Sequence, residues 1–182
     1  KQSRDSRKVE KFDVDAALRE RGYVKCKLLV FDLPTEYRGA ETKYEVEEGG
    51  RVREVKVFAS EPTVYRSLRR GFYSALHEVA FRTKAGWVLV SESLGPLEEY
   101  VKELRKLASE FAVEVVDAYL PIDWTRREAE EYVKSLLERR EEIARKLADE
   151  AVSAAIRRRL ERERERIERA VRVINDFLSR LK

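Results

Sequence analysis

Nine of the ten residues from Arg157 to Arg166 (RRRLERERER) are charged. On a helix, Arg158, Arg162, Arg166 and Arg169 fall at about 0°, 40°, 80° and 20° around the axis. Leu160, Ile167, Val171 and Ile174 fall at about 200°, 180°, 220° and 160°. An arginine stripe therefore opposes an apolar stripe. Forked guanidiniums that stay charged at any relevant pH suit phosphate oxygens. The competing account is a solvated face laced with i, i+4 ion pairs, since Arg157–Glu161 and Arg159–Glu163 have that spacing. A second cationic series, Arg66, Arg70, Tyr73 and His77, runs in steps of 4, 3 and 4. Those steps put all four on one helix face, with an aromatic interleaved among phosphate-seeking cations. A third set, Lys1, Arg4, Arg7 and Lys8, makes the first residues a basic arm.

Catalytic chemistry has fewer candidates. G-x-S-x-G, the P-loop, G-x-G-x-x-G and H-E-x-x-H are all absent. Cys26 and His77 are the only residues of their types, which excludes metal sites built on Cys and His. His77 has no nucleophile matched to it. Asp32 and Glu92 follow two strand-like runs. On parallel neighbouring strands both carboxylates would reach one sheet edge and could hold Mg²⁺. Otherwise they are surface charges, and no cofactor is expected.

These side chains need elements to carry them. Asp13 to Glu20 reads as a short helix. Val24 to Leu33 (VKCKLLVFDL) is an apolar, β-branched run ended by Pro34, hence a buried strand with Cys26 as a small hydrophobe inside it. Lys43–Glu47 and Val52–Phe58 alternate around Gly49-Gly50, a hairpin signal. Val64, Leu68, Phe72, Leu76 and Val79 predict a helix over 62–83. Trp87 to Val90 is a short strand. Leu97, Tyr100, Val101, Leu104, Leu107 and Phe111 follow the helical rhythm after Gly95-Pro96, and Val113 to Leu120 is a third strand. Thr125, with Glu128 three residues on, resembles a capping box. Beyond it no Gly or Pro occurs to the end of the chain. The apolar register shifts near 155–160, which predicts a bend or reversal in one long helix or a helical hairpin.

The fold class expected is α/β or α+β: three core strands plus a hairpin, packed helices, then the C-terminal helical part. The organisation reads as a basic arm over 1–12, an α/β domain over 13–121 with a hairpin excursion at 42–58, and a helical extension over 125–182. Two helical crossovers favour parallel strands. A ferredoxin-like arrangement would need one more antiparallel strand, which the hairpin could supply.

The 182 residues suffice for one core, and 43% are hydrophobic. Charged residues reach 41%, with 39 basic against 35 acidic side chains. That excludes a membrane-spanning chain, and near balance argues against disorder. Residues 1–124 carry 22 basic and 22 acidic side chains, so the whole +4 lies in the C-terminal part. Met is absent, Gln2 and Asn175 are alone of their types, and Glu, Lys and Arg abound, as in hyperthermophile proteins. An archaeal or archaeal-virus source is the expectation. The first residues lack the apolar segment of a signal peptide, so an intracellular or virion location is expected.

The order of a strand ending Phe31-Asp32-Leu33-Pro34, the helix with Tyr65-Arg66-Ser67-Leu68-Arg69-Arg70, the Trp87-Val88-Leu89-Val90 strand, another helix and a strand resembles a known arrangement. It is similar to the ferredoxin-like domains of Cas2-type nucleases and of the chromate-resistance regulator ChrB, over about half the chain. The Cas2 likeness implies a metal-binding role for Asp32. The leading expectation remains a non-enzymatic, self-associating nucleic-acid-binding protein: architectural, nucleocapsid-like or regulatory. It would grip phosphate backbone through its arginine stripes, with DNA ahead of RNA, and associate through the apolar stripe of its C-terminal helix. The alternatives are a Mg²⁺-dependent nuclease using Asp32 and a protein-only assembly scaffold.

Overall fold

A computed structural model describes residues 12–37, 42–57, 61–91, 93–108 and 110–181. Residues 1–11 of the basic arm and Glu92 lie outside the described residues. Helix α1 (Val14–Glu20) is capped by Asp13, whose carboxylate accepts from the Ala16 amide at 3.1 Å. Strand β1 (Tyr23–Asp32) follows. Strands β2 (Thr42–Glu48) and β3 (Arg51–Val57) form an antiparallel hairpin. Its turn residues Gly49 and Gly50 have φ of 64° and 77°, values that a side chain would strain. Helix α2 (Glu61–Val79) leads directly into β4 (Ala80–Thr83) and β5 (Gly86–Leu89). Then come α3 (Leu97–Leu107), β6 (Ala112–Pro121), α4 (Ile122–Leu147) and α5 (Ala154–Arg180).

The main sheet has the order β4-β5-β1-β6, and every neighbouring pair is antiparallel. With α2 and α3 as connections this is the βαββαβ ferredoxin-like order. Three sequence expectations are corrected here. Among the described residues no strands run as parallel neighbours, because β5 separates the two strands that α2 joins. The hairpin does not supply the fourth strand, since β2 and β3 make a sheet of their own. That strand is β4, which the apolar spacing placed inside a helix running to residue 83. Residues 79–83 carry apolar Val79, Ala80 and Phe81, compatible with either element. The tight turn to β5 decides: the Thr83 hydroxyl donates to the Gly86 carbonyl at 2.9 Å and accepts from the Ala85 amide at 3.1 Å.

Alternation along the strands feeds two cores. Leu29 and Leu89 face α2 and α3, where they meet Phe72, Leu76, Leu97, Leu104 and Phe111. Cys26, Phe81, Val88 and Val90 face the other way, against Ala129 of α4 and Ile174 of α5. Burial pushes the Cys26 thiol up to about 11, so it is packed as an inert hydrophobe. On the first face α2 and α3 approach closely at Gly71, where an added Cβ would lie 2.3 Å from the Tyr100 ring. Gly71→Ala is therefore expected to destabilise by about 1–3 kcal/mol, despite the roughly 1 kcal/mol that Ala gains in helix propensity. Chemical denaturation would show it, and a rise in stability would mean the ring moves aside freely.

The C-terminal part is a helical hairpin, one of the two forms expected of the helical extension, and it shares its core with the sheet. Helix α4 starts at Ile122, straight from β6. Thr125 lies inside it, fully buried, its hydroxyl donating to the Pro121 carbonyl at 2.8 Å rather than capping. The reversal occupies residues 148–153, ahead of the expected 155–160. It forms without Gly or Pro because side chains satisfy the helix ends. Ser153 accepts from the Ile156 amide at 3.4 Å, and Arg157 donates to the Leu147 carbonyl at 2.8 Å and the Asp149 carbonyl at 3.2 Å. The apolar stripe is covered within the chain. Leu160 and Ile167 are buried with Ile143 of α4, and Ile174 with the sheet. These stripe residues are covered by the chain's own elements, so their burial does not require a second copy. Among the described residues no helix is long and apolar enough to cross a membrane.

Candidate nucleic-acid interface

Helix α2 has one face buried by Tyr65, Phe72, Leu76 and Val79. Its flank carries Arg66, Arg69, Arg70, Tyr73, Ser74 and His77. Helix α5 is brought alongside by its own buried residues and by Arg169, whose guanidinium pairs with Glu78 of α2 at 2.8 Å. Between the two helices lies an open cleft of about 440 Å³, lined by that α2 flank and by Arg166. Four guanidiniums and no carboxylate line it.

Among the described residues none of Arg66, Arg69, Arg70 or Arg166 makes an ion pair. Glu163, whose carboxylate feels Arg166, is held bidentately by Arg139 at 2.8 and 3.2 Å. The Arg69 guanidinium sits 5.0 Å from the centroid of the Tyr73 ring, and its buried Nε has no hydrogen-bond acceptor. The Tyr73 ring is braced edge-on by Phe31 at 6.0 Å and Phe72 at 5.6 Å. Cationic groups are thus positioned by packing, with their charge left for an anion from outside.

His77 also lines the cleft. Its Nδ1 hydrogen-bonds the Tyr132 hydroxyl of α4, and its ring meets Trp87 edge-on at 5.3 Å. Burial, then Arg166, lowers the His77 pKa below 6.5. Burial pushes the Tyr132 phenol up to about 12. Both are therefore neutral at pH 7, and the imidazole tautomer sets which of the two donates in their hydrogen bond. The folded state disfavours protonated His77 more than the unfolded state does. Stability is thus full above pH 6.5 and falls as pH drops below it towards the lowered value. His77→Gln should flatten that part of the stability profile, as measured by urea melts from pH 7.5 to 5. An unchanged profile would place the titration elsewhere.

The sequence-derived candidates separate. Arg66, Arg70, Tyr73, His77 and Arg166 come together in the cleft. Arg169 pairs with Glu78 of α2 at 2.8 Å and does not line the cleft. Arg158 and Arg162 lie farther along α5, outside the cleft, where Arg158 Nε donates to the Ala154 carbonyl at 3.4 Å. Lys1, Arg4, Arg7 and Lys8 lie outside the described residues. Arg69 and Ser74 were missed. Arg69 is three residues after Arg66 and four before Tyr73, so counting both helical spacings together finds it.

The metal pairing expected of Asp32 and Glu92 required parallel strands. In the antiparallel register Lys27 lies opposite Leu89, and β1 runs on towards the start of β5. Asp32 therefore lies about 17 Å along the strand from the level where β5 ends. Glu92 itself is outside the described residues. Among those residues no three His, Cys, Asp or Glu side chains come together in a geometry for a metal ion. The chain matches no protein-family model, no curated protein and no solved structure.

Proposed function

We propose that this protein binds nucleic acid through phosphate, with the α2–α5 cleft as the main contact. The observation that carries the reading is the gathering of four guanidiniums from two distant segments beside Tyr73, with no acid lining the cleft. Phosphate contacts position a strand without reading its sequence, so binding is weakly sequence-dependent. Arg158 and Arg162 extend the cationic surface along α5. Self-association through α5 does not enter the proposal, because the apolar stripe it needed is buried.

Anisotropy titrations of labelled duplex DNA, single-stranded DNA and RNA at graded salt test the reading. Affinity should be similar across sequences and fall log-linearly with salt. Four phosphate contacts give a slope of roughly −3 to −4 on duplex and a shallower one on single strands. Absence of binding at 50 mM salt would overturn it.

The proposal is of binding rather than cleavage, with the Mg²⁺-dependent nuclease as the competing activity. Asp32→Ala is expected to leave nucleic-acid affinity within about twofold, because Asp32 lies outside the cleft. Incubating parent and variant with labelled strands, with Mg²⁺ or with EDTA, separates the two. Metal-dependent cleavage by the parent that disappears in the variant would establish the nuclease.

A further inference from the structure

We infer that the cleft holds a terminal phosphate group, a phosphomonoester or polyphosphate, more tightly than the phosphodiesters within a strand. The inference rests on the phosphate-binding reading above and narrows its ligand. Backbone-tracking surfaces spread their cations along the strand, because each internal phosphodiester carries a single charge. Here Arg66, Arg69, Arg70 and Arg166 converge on one cleft of about 440 Å³. Their mutual repulsion is unrelieved by any carboxylate lining that space. One phosphodiester would neutralise a quarter of the charge. A phosphomonoester brings about −1.5 to −2 near neutral pH and a third acceptor oxygen. A chain of linked phosphates brings more, at a density that matches converging forks.

The remaining lining groups fit the same ligand. Arg69 lies against the braced Tyr73 ring, a guanidinium–aromatic platform of the kind on which a terminal base stacks. Ser74 adds a neutral hydroxyl to the wall, a donor for a phosphate oxygen without a further charge.

The test uses the full chain and one oligonucleotide sequence bearing a 5′-triphosphate, a 5′-monophosphate or a 5′-hydroxyl. At 0.15 M salt, where long-range steering is largely screened, the triphosphate should bind at least about tenfold tighter than the hydroxyl, a difference of about 1.4 kcal/mol. The monophosphate should fall between. Arg69→Gln and Arg166→Gln, each checked for an unchanged circular dichroism spectrum, should remove most of that advantage, weakening the triphosphate severalfold more than the 5′-hydroxyl strand. Competition with inorganic tripolyphosphate and with a nucleoside triphosphate distinguishes sources. Displacement by tripolyphosphate at the oligonucleotide's own potency supports the site and assigns it to free polyphosphate. Displacement only by the phosphorylated oligonucleotide supports the site and assigns it to strand ends. Equal binding of all three ends, weakened by the arginine variants, would overturn the inference and leave the nucleic-acid reading standing. A triphosphate advantage that survives both variants would also overturn it, because the cleft would not be its source. No binding by any probe would overturn both.

Discussion

Replacing Arg66, Arg69, Arg70 and Arg166 together by Gln is expected to weaken nucleic-acid binding by about a hundredfold at low salt. A hydrogen bond to a charged group contributes about 1.5–3 kcal/mol. Four guanidiniums at one ligand are not additive, and a combined loss of about 3 kcal/mol is a conservative total, equal to roughly a hundredfold. The salt slope should shrink by about 0.7 to 0.9 for each phosphate no longer neutralised. Gln keeps helix propensity and shape, and none of the four makes an ion pair among the described residues, so the fold should survive. Arg158→Gln with Arg162→Gln is the matched comparison. Those side chains sit about two turns and one turn along α5 from Arg166 and should lower the slope with less than about a tenfold loss of affinity. Anisotropy titration of all three proteins from 50 to 300 mM salt decides. If the quadruple variant binds as the parent does while the double variant fails, the outer part of α5 is the interface and the cleft is not.

Phe72→Ala is expected to cost about 3–5 kcal/mol of folding stability. Phe72 is wholly buried, and its ring packs edge-on against Phe31 at 5.1 Å, Tyr73 at 5.6 Å and Phe111 at 5.7 Å. Removing it empties the junction of β1, α2 and the segment entering β6. For a chain of this size the loss corresponds to a fall in Tm of roughly 6–20 °C. Phe72→Leu keeps most of the volume and should cost under about 1.5 kcal/mol. The two variants separate the effect of the cavity from that of the missing aromatic packing. Calorimetry or thermal circular dichroism gives the answer, and an Ala variant melting within about 2 °C of the parent would mean this core collapses without penalty. Because Phe72 braces Tyr73, the Ala variant should also loosen the cleft and weaken ligand binding below its melting temperature.

Much of this protein was legible along the chain. Period-3.6 apolar spacing located α2, α3 and the two C-terminal helical registers, and alternation around Gly49-Gly50 located the hairpin. The run from Val24 to Leu33 marked a buried strand by its apolar and β-branched residues, and Cys26 and Leu29 are buried on its two faces. The flank of α2 was legible too, because Arg66, Arg70, Tyr73 and His77 are neighbours through a single helix. What is local in the backbone is written in local spacing.

Pairing is not local, and there tertiary structure decided. The four residues Ala80–Thr83 suit a last helical turn as well as a strand. Only the edge offered by β5 makes them β4, and with them the sheet becomes wholly antiparallel. That change of direction carries Asp32 away from the end of β5. Arg166 and Arg169 share one face of α5, yet packing gives them opposite fates. One turns into the cleft with the α2 arginines, and the other is spent on Glu78. The apolar stripe of α5 demanded a partner, as amphipathic helices do, but a stripe does not say whose surface will cover it. The reversal at residues 148–153 brings α4 back across it, and the sheet takes the rest. Composition and periodicity determined which side chains seek burial and which seek water or anions. Which of them meet depended on chain reversals that side-chain caps stabilise and on strand edges that lie far apart along the chain.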